Sequence, residues 1–93
     1  MAWKVRNVTM TGGTDRVIVT HTPVRQVIFY NDSTSTGTYN VGDANMTATV
    51  YGFQVPKGGS GPPVGGADVL SFNLEEFYVR GTANDIARVS YLT

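Results

Sequence analysis

Cysteine is absent from the 93 residues, which excludes disulfides and thiolate metal sites and fits a chain made in a reducing compartment. Histidine occurs once, at His21, so a histidine-based zinc site within one chain is not expected. A serine nucleophile would have only that imidazole as its base, and His21 stands just before Thr22-Pro23, where a loop histidine is the plainer reading. Charge is scarce: 15% of the chain, with seven basic and seven acidic residues cancelling to zero, against about a quarter in ordinary domains. The basic residues are scattered, so the clustered cations that neutralise phosphates are missing and no nucleic-acid partner is expected. No apolar run approaches the roughly 18 residues of a membrane span. Met1-Ala2-Trp3-Lys4-Val5-Arg6 lacks the apolar core of a signal peptide. The expectation is a soluble chain with no export signal and no membrane partner.

A chain of this length buries only about 60–65% of the surface that its unfolded form exposes. With disulfides and thiolate metals unavailable, self-association is the stabilising device left. A surface rich in Thr, Ser, Asn and Gly and poor in charge is weakly protected against association, and reads as one meant to be partly covered.

What is present is strand grammar. Residues 3–9 alternate, with Trp3, Val5 and Asn7 on one face, and form a first strand or N-terminal arm. Thr11-Gly12-Gly13-Thr14 is a turn. Arg16-Val17-Ile18-Val19-Thr20 is a β-branched run ended by His21-Thr22-Pro23. Val24 to Tyr30 is apolar on both faces, as a central strand would be. Gly37 to Val55 reads as strand, tight turn at Gly42-Asp43-Ala44-Asn45, and strand. Residues 57–66 (Lys57-Gly58-Gly59-Ser60-Gly61-Pro62-Pro63-Val64-Gly65-Gly66) have the composition of an exposed mobile loop. Ala67 to Asn73, Glu76 to Arg80 and Ile86 to Leu92 complete the set, with Leu74-Glu75 a brief turn. About eight short strands, each separated by a turn signal, predict an all-β fold: a single small β-sandwich spanning 1–93, jelly-roll-like.

No catalytic set assembles from this pattern. Adjacent Glu75 and Glu76 point to opposite faces of an extended chain and cannot flank a sugar as glycosidase carboxylates do. Asp32, Asp43, Asp68 and Asp85 read as turn residues. Asp43-Ala44-Asn45 offers too few oxygens for calcium and reads as an Asx turn. Gly58–Gly66 lacks the Lys-Ser/Thr ending of a phosphate-binding loop. No enzyme activity, cofactor or metal is therefore expected. Trp3, Tyr30, Tyr39, Tyr51, Tyr78 and Tyr91 could stack on sugar rings, but most lie in strands, where packing is the default.

Three motifs stand in a distinctive order: Gly37-Thr38-Tyr39-Asn40-Val41-Gly42-Asp43-Ala44-Asn45, then Gly52-Phe53-Gln54-Val55-Pro56-Lys57-Gly58, then Leu74-Glu75-Glu76-Phe77-Tyr78-Val79-Arg80-Gly81. Over roughly residues 16–92 the chain resembles small phage virion proteins in which such a hairpin precedes a Pro-Gly turn and a final aromatic strand. The resemblance implies a jelly-roll capsid decoration (cement) protein, often a homotrimer, made in the host cytoplasm. It would sit on the virion's capsid surface where capsomers meet, with the major capsid protein as partner. The alternative is a phage tail or fibre module that binds host carbohydrate. The chain departs from the family by inserting Gly59 to Gly66. The groups left for partner contact, being outside the patterned core, are Trp3 and Arg6 together with Lys57, Gly58, Pro62, Pro63 and Val64.

Overall fold

Alternation decides which side chains meet. The computed structural model describes residues 2–66 and 68–93, so Met1 of the N-terminal segment and Ala67, the start of one expected strand, lie outside the described residues. The strands are β1 (Trp3–Thr9), β2 (Thr14–Arg16), β3 (Pro23–Val24), β4 (Gln26–Asn31), β5 (Tyr39–Gly42), β6 (Phe53–Val55), β7 (Phe72–Asn73), β8 (Tyr78–Arg80) and β9 (Ile86–Leu92), with a 3-10 turn at Leu74–Glu76. In β4, Val27, Phe29 and Asn31 are buried while Gln26, Ile28 and Tyr30 are half-buried. In β9, Ala87, Val89 and Tyr91 turn inward and Ile86 and Arg88 outward. This is the period of two that a sheet with one covered face requires.

All ladders are antiparallel. One sheet has the order β1-β9-β4, the other β2-β8-β5-β6, and β3-β7 forms a short ribbon. The first sheet continues beyond β4. Asn31 N–H donates to Gly59 O (2.9 Å), Gly58 N–H to Asn31 O (2.8 Å) and Gly61 N–H to Phe29 O (2.9 Å), and Val27 and Val64 exchange bonds of 2.9 Å. Residues 58–64 are thus an edge strand, and its register slips by one residue between the Tyr30–Ser60 and Val27–Val64 bridges. Pro62 and Pro63 occupy that bulge on the outer edge, where a missing N–H breaks no ladder bond. With this segment included, the sheets read β1-β9-β4-(58–64) and β2-β8-β5-β6, the strand order of a jelly roll. The all-β sandwich expected from the sequence is the fold.

The expectation of a mobile Gly/Pro loop is corrected by the same bonds. Its glycines answer to packing: a Cβ on Gly61 would lie 2.7 Å from Phe53 Cε2. Two other expectations change. The Val17–Thr20 run is not a strand, because β8 begins only at Tyr78 and the 3-10 turn before it withdraws the partner. The last link is Val17 N–H to Phe77 O at 3.1 Å, and Val19 is left exposed. The hairpin between β5 and β6 is not tight either. Gly52 N–H donates to Val41 O (2.8 Å) and closes a long loop, residues 43–52, anchored by buried Met46. The Asx turn does form, with Asn45 N–H on Asp43 Oδ1 at 2.9 Å, but it bends the loop rather than reversing the strand.

The inner faces pack Val8, Val27, Phe29, Tyr39, Val41, Val55, Val79, Ala87 and Val89 into one core. Phe29 stands edge-on to Phe53, with centroids 5.8 Å apart, and 5.7 Å from Phe77. Polar groups also join the layers: the Tyr39 hydroxyl donates to Tyr30 O at 2.9 Å. Fully buried Asn31 donates from Nδ2 to Gly37 O (2.8 Å) and Val55 O (3.1 Å). Asn31→Ala would remove both buried hydrogen bonds, and is expected to cost about 1–3 kcal/mol. Urea titration would check this, with Asn31→Asp, which loses the amide donor, expected to be worse.

Candidate functional site

Four aspartates are occupied in holding loops and turns. Asp15 accepts Thr11 N–H (2.9 Å) and Oγ1–H (2.8 Å). Asp32 accepts Thr34 N–H (3.0 Å), and Asp43 holds Asn45. Asp85, buried, accepts Thr36 N–H (2.9 Å) and Gly37 N–H (3.2 Å). The Thr36 N–H, ahead of other influences, keeps the Asp85 carboxyl below its usual range. Backbone donors aimed at an ionised carboxylate stabilise the charged form, which is what a cap does and the reverse of what a general acid needs.

His21 does meet a carboxylate. Its Nδ1 lies 2.5 Å from Glu75 Oε2, while Glu75 Oε1 accepts Thr22 N–H at 2.9 Å. The His21 side chain is 69% exposed, and the nearby Thr22 hydroxyl donates to Thr20 O (2.8 Å). The pair pins the 17–22 loop to the 3-10 turn. The Thr22 N–H first, then His21, lower the Glu75 pKa from 4.5 to about 2. A carboxylate depressed in the folded state adds stability above its unfolded pKa, and this is lost as pH falls through the folded value. Glu75→Gln is therefore expected to flatten the decline in urea midpoint between about pH 4.5 and 2. An unchanged acid limb would count against the pinning role.

The contact residues expected from sequence do not converge on one spot. Trp3 is 52% and Val5 61% exposed on the outer face of β1. Arg6 lies on the opposite face, its Nε donating to Val17 O at 2.7 Å. Lys57 and Gly58 (φ +75°) form the turn beside Asn31, at the other end of the sheet from Trp3. Pro62 and Pro63 are exposed on the far edge, and Val64 is half-buried. Register sets Trp3, Leu92 and Gln26 in one row, and Gln26 Nε2 reaches Gly65 O at 3.3 Å. Trp3 and the end of the Gly/Pro segment thus share one end of the sheet, about 14 Å apart at three strand spacings.

Sequence reasoning missed a groove at that end. Phe53, Phe72, Phe77 and Val64 line about 330 Å³ of open space with Asp43 and Glu76 at its rim. Phe72 and Phe77 lie 6.3 Å apart at 60°. The three phenylalanines come from β6, β7 and the residue before β8, so only tertiary pairing assembles them. Among its lining residues there is no imidazole, hydroxyl nucleophile or cation. It can take an apolar group and accept hydrogen bonds at its lip.

Comparison with protein-family models, with curated proteins and with solved structures finds no match.

Proposed function

We propose that this chain is a structural virion protein, a capsid decoration protein that binds the outside of a phage head at capsomer junctions and stabilises it. The major capsid protein is its partner, and the working form is a homotrimer. The observation that carries this reading is the outer face of the β1-β9-β4 sheet. Trp3 (52% exposed), Val5 (61%) and Ile86 (42%) lie there, with Tyr30 beneath the Arg88 guanidinium at 5.7 Å. The turn-bound carboxylates add support, because a surface whose polar groups are satisfied locally is suited to being covered. A cement protein needs no chemistry. It binds the assembled shell better than the dissociated one and stabilises it by mass action, and a symmetric trimer adds avidity to weak single contacts.

The test is co-sedimentation with empty capsids assembled from the major capsid protein of the same genome, beside sedimentation equilibrium of the free protein. Binding, a higher capsid disruption temperature and a trimer are expected. A protein that stays monomeric at high concentration and remains in the supernatant while the capsids pellet sinks the proposal.

The phenylalanine groove favours a second reading, a tail or fibre module for host glycan. Aromatic rings stack on sugar faces, and Asp43 and Glu76 would accept hydroxyl hydrogens. A glycan array without a hit removes it.

A further inference from the structure

The edges of the two sheets are unequal. β2 and β6 are three residues each, and the 58–64 edge carries Pro62 and Pro63, which have no N–H to offer. β1 is seven residues long and paired only with β9. Met10 N–H donates to Asp85 O, and Thr93 N–H to Ala2 O. The even-numbered residues of this antiparallel pair therefore bond to β9, and Trp3, Val5, Asn7 and Thr9 aim both N–H and C=O at the open side. Among the described residues none of these groups has another backbone partner. Such a long, unblocked edge is a template for one more strand.

Charge decides what that strand is. Side chains on β1 divide into an outer row with Trp3 and Val5 and an inner row with Lys4, Arg6 and Val8, opposite Tyr91, Val89 and Ala87. If a second copy paired antiparallel, odd residues would face odd residues. Setting Trp3 opposite Val5, Asn7 or Thr9 of the copy places Lys4 against Lys4, Lys4 against Arg6, or Arg6 against Arg6. Setting it opposite Trp3 leaves only residues 2–4 of each chain overlapping among the described residues, too short a ladder to hold. Like charges directly opposite are unfavourable, so this edge rejects its own copy. Arg6 uses Nε on Val17 O, which leaves its terminal nitrogens, the pair that forks onto a carboxylate, directed elsewhere.

We infer that β1 is the acceptor edge for an extended segment of a different protein, apolar where it passes Trp3 and Val5 and carboxylate-bearing opposite Lys4 and Arg6. The inference rests on the proposed virion role only for the source of that segment, the capsid partner; the edge and its charge rule stand on the fold.

The experiment uses a fluorescein-labelled, end-blocked peptide, Thr-Val-Glu-Val-Glu-Val-Glu-Val-Thr, and the same peptide with lysine for glutamate. Binding is read by anisotropy, and amide exchange is followed by NMR in the full chain. The glutamate peptide is expected to bind and to slow exchange at Trp3, Val5, Asn7 and Thr9. Val5→Pro removes an outward N–H while leaving the β9 ladder intact, and is expected to weaken binding about tenfold. Lys4→Glu, a surface change that keeps the fold, leaves one charge of each sign in that row and is expected to erase the preference for the glutamate peptide. In the parent protein, no binding, equal binding of both peptides, or protection confined to other amides overturns the inference. Capsid co-sedimentation that persists in Val5→Pro overturns it as well, while leaving the virion reading in place.

Discussion

Phe29→Ala is expected to remove about 3–5 kcal/mol of folding free energy, the range for a buried phenylalanine whose cavity cannot fully collapse. A domain of this length holds about 5–14 kcal/mol in total, so the variant should be marginal at room temperature. Phe29 has no exposed surface and belongs to the cluster shared by both sheets. Its ring contacts Phe53 and Phe77, and its carbonyl accepts the Gly61 N–H that ties down the edge segment. Removing the ring withdraws support from the sandwich and from two walls of the phenylalanine groove together. Urea unfolding should show a lower midpoint with an unchanged slope. Phe29→Leu, which keeps most of the volume, should lose less than about 1.5–2 kcal/mol. A loss below 1 kcal/mol for the alanine variant would mean that the two aromatic contacts do not hold the layers together.

What could be read from the sequence follows from how local each signal is. β4 and β9 were legible as strands because a β-branched and aromatic run between turn signals is a local cue, but their inner faces were not, since Val24 to Tyr30 reads as apolar on both sides. Val27 and Phe29, and Ala87, Val89 and Tyr91, all lie inward. The turn at Asp43 was legible because a carboxylate reaching a backbone N–H two residues on is a local event, and it is what forms. The Asp85 carboxylate instead reaches Thr36 and Gly37, roughly fifty positions back, which no local signal shows. Val17–Thr20 misled because β propensity is only a fit to a pleated, paired surface, and the partner is taken away by the 3-10 turn some sixty positions later. The phenylalanine groove was invisible for the same reason: residues 53, 72 and 77 meet only through ladder pairing. Of the proposed contacts, Trp3 is exposed, as its place outside the patterned core implied. Arg6 was placed on the surface correctly, but its bond to Val17 O depends on the second sheet and could not be read.

The Gly/Pro segment is where composition and physics part most sharply, and Gly65 tests it. Gly65 has φ +82°, and a Cβ there would stand 2.5 Å from Phe72 Cε2 and 2.6 Å from the Arg25 carbonyl oxygen. The ring could rotate, but the Arg25 backbone is fixed by its N–H on Leu92 O at 2.7 Å. Gly65→Ala therefore combines left-handed strain of about 1–2 kcal/mol with overpacking of about 1–3 kcal/mol, an expected loss of about 2–5 kcal/mol. The adjacent Gly66 has open space where its Cβ would go and no positive φ. Gly66→Ala should be neutral, or stabilising by about 0.4–1 kcal/mol through a less flexible unfolded chain. Two identical neighbours in the sequence are thus expected to differ by several kcal/mol, measurable as separate urea midpoints. If both variants unfold with the parent protein, residues 58–66 are the spacer that their composition describes. If they separate as expected, the segment is a built edge of the sheet, and its glycines are there because phenylalanine rings and a carbonyl occupy the space where side chains would be.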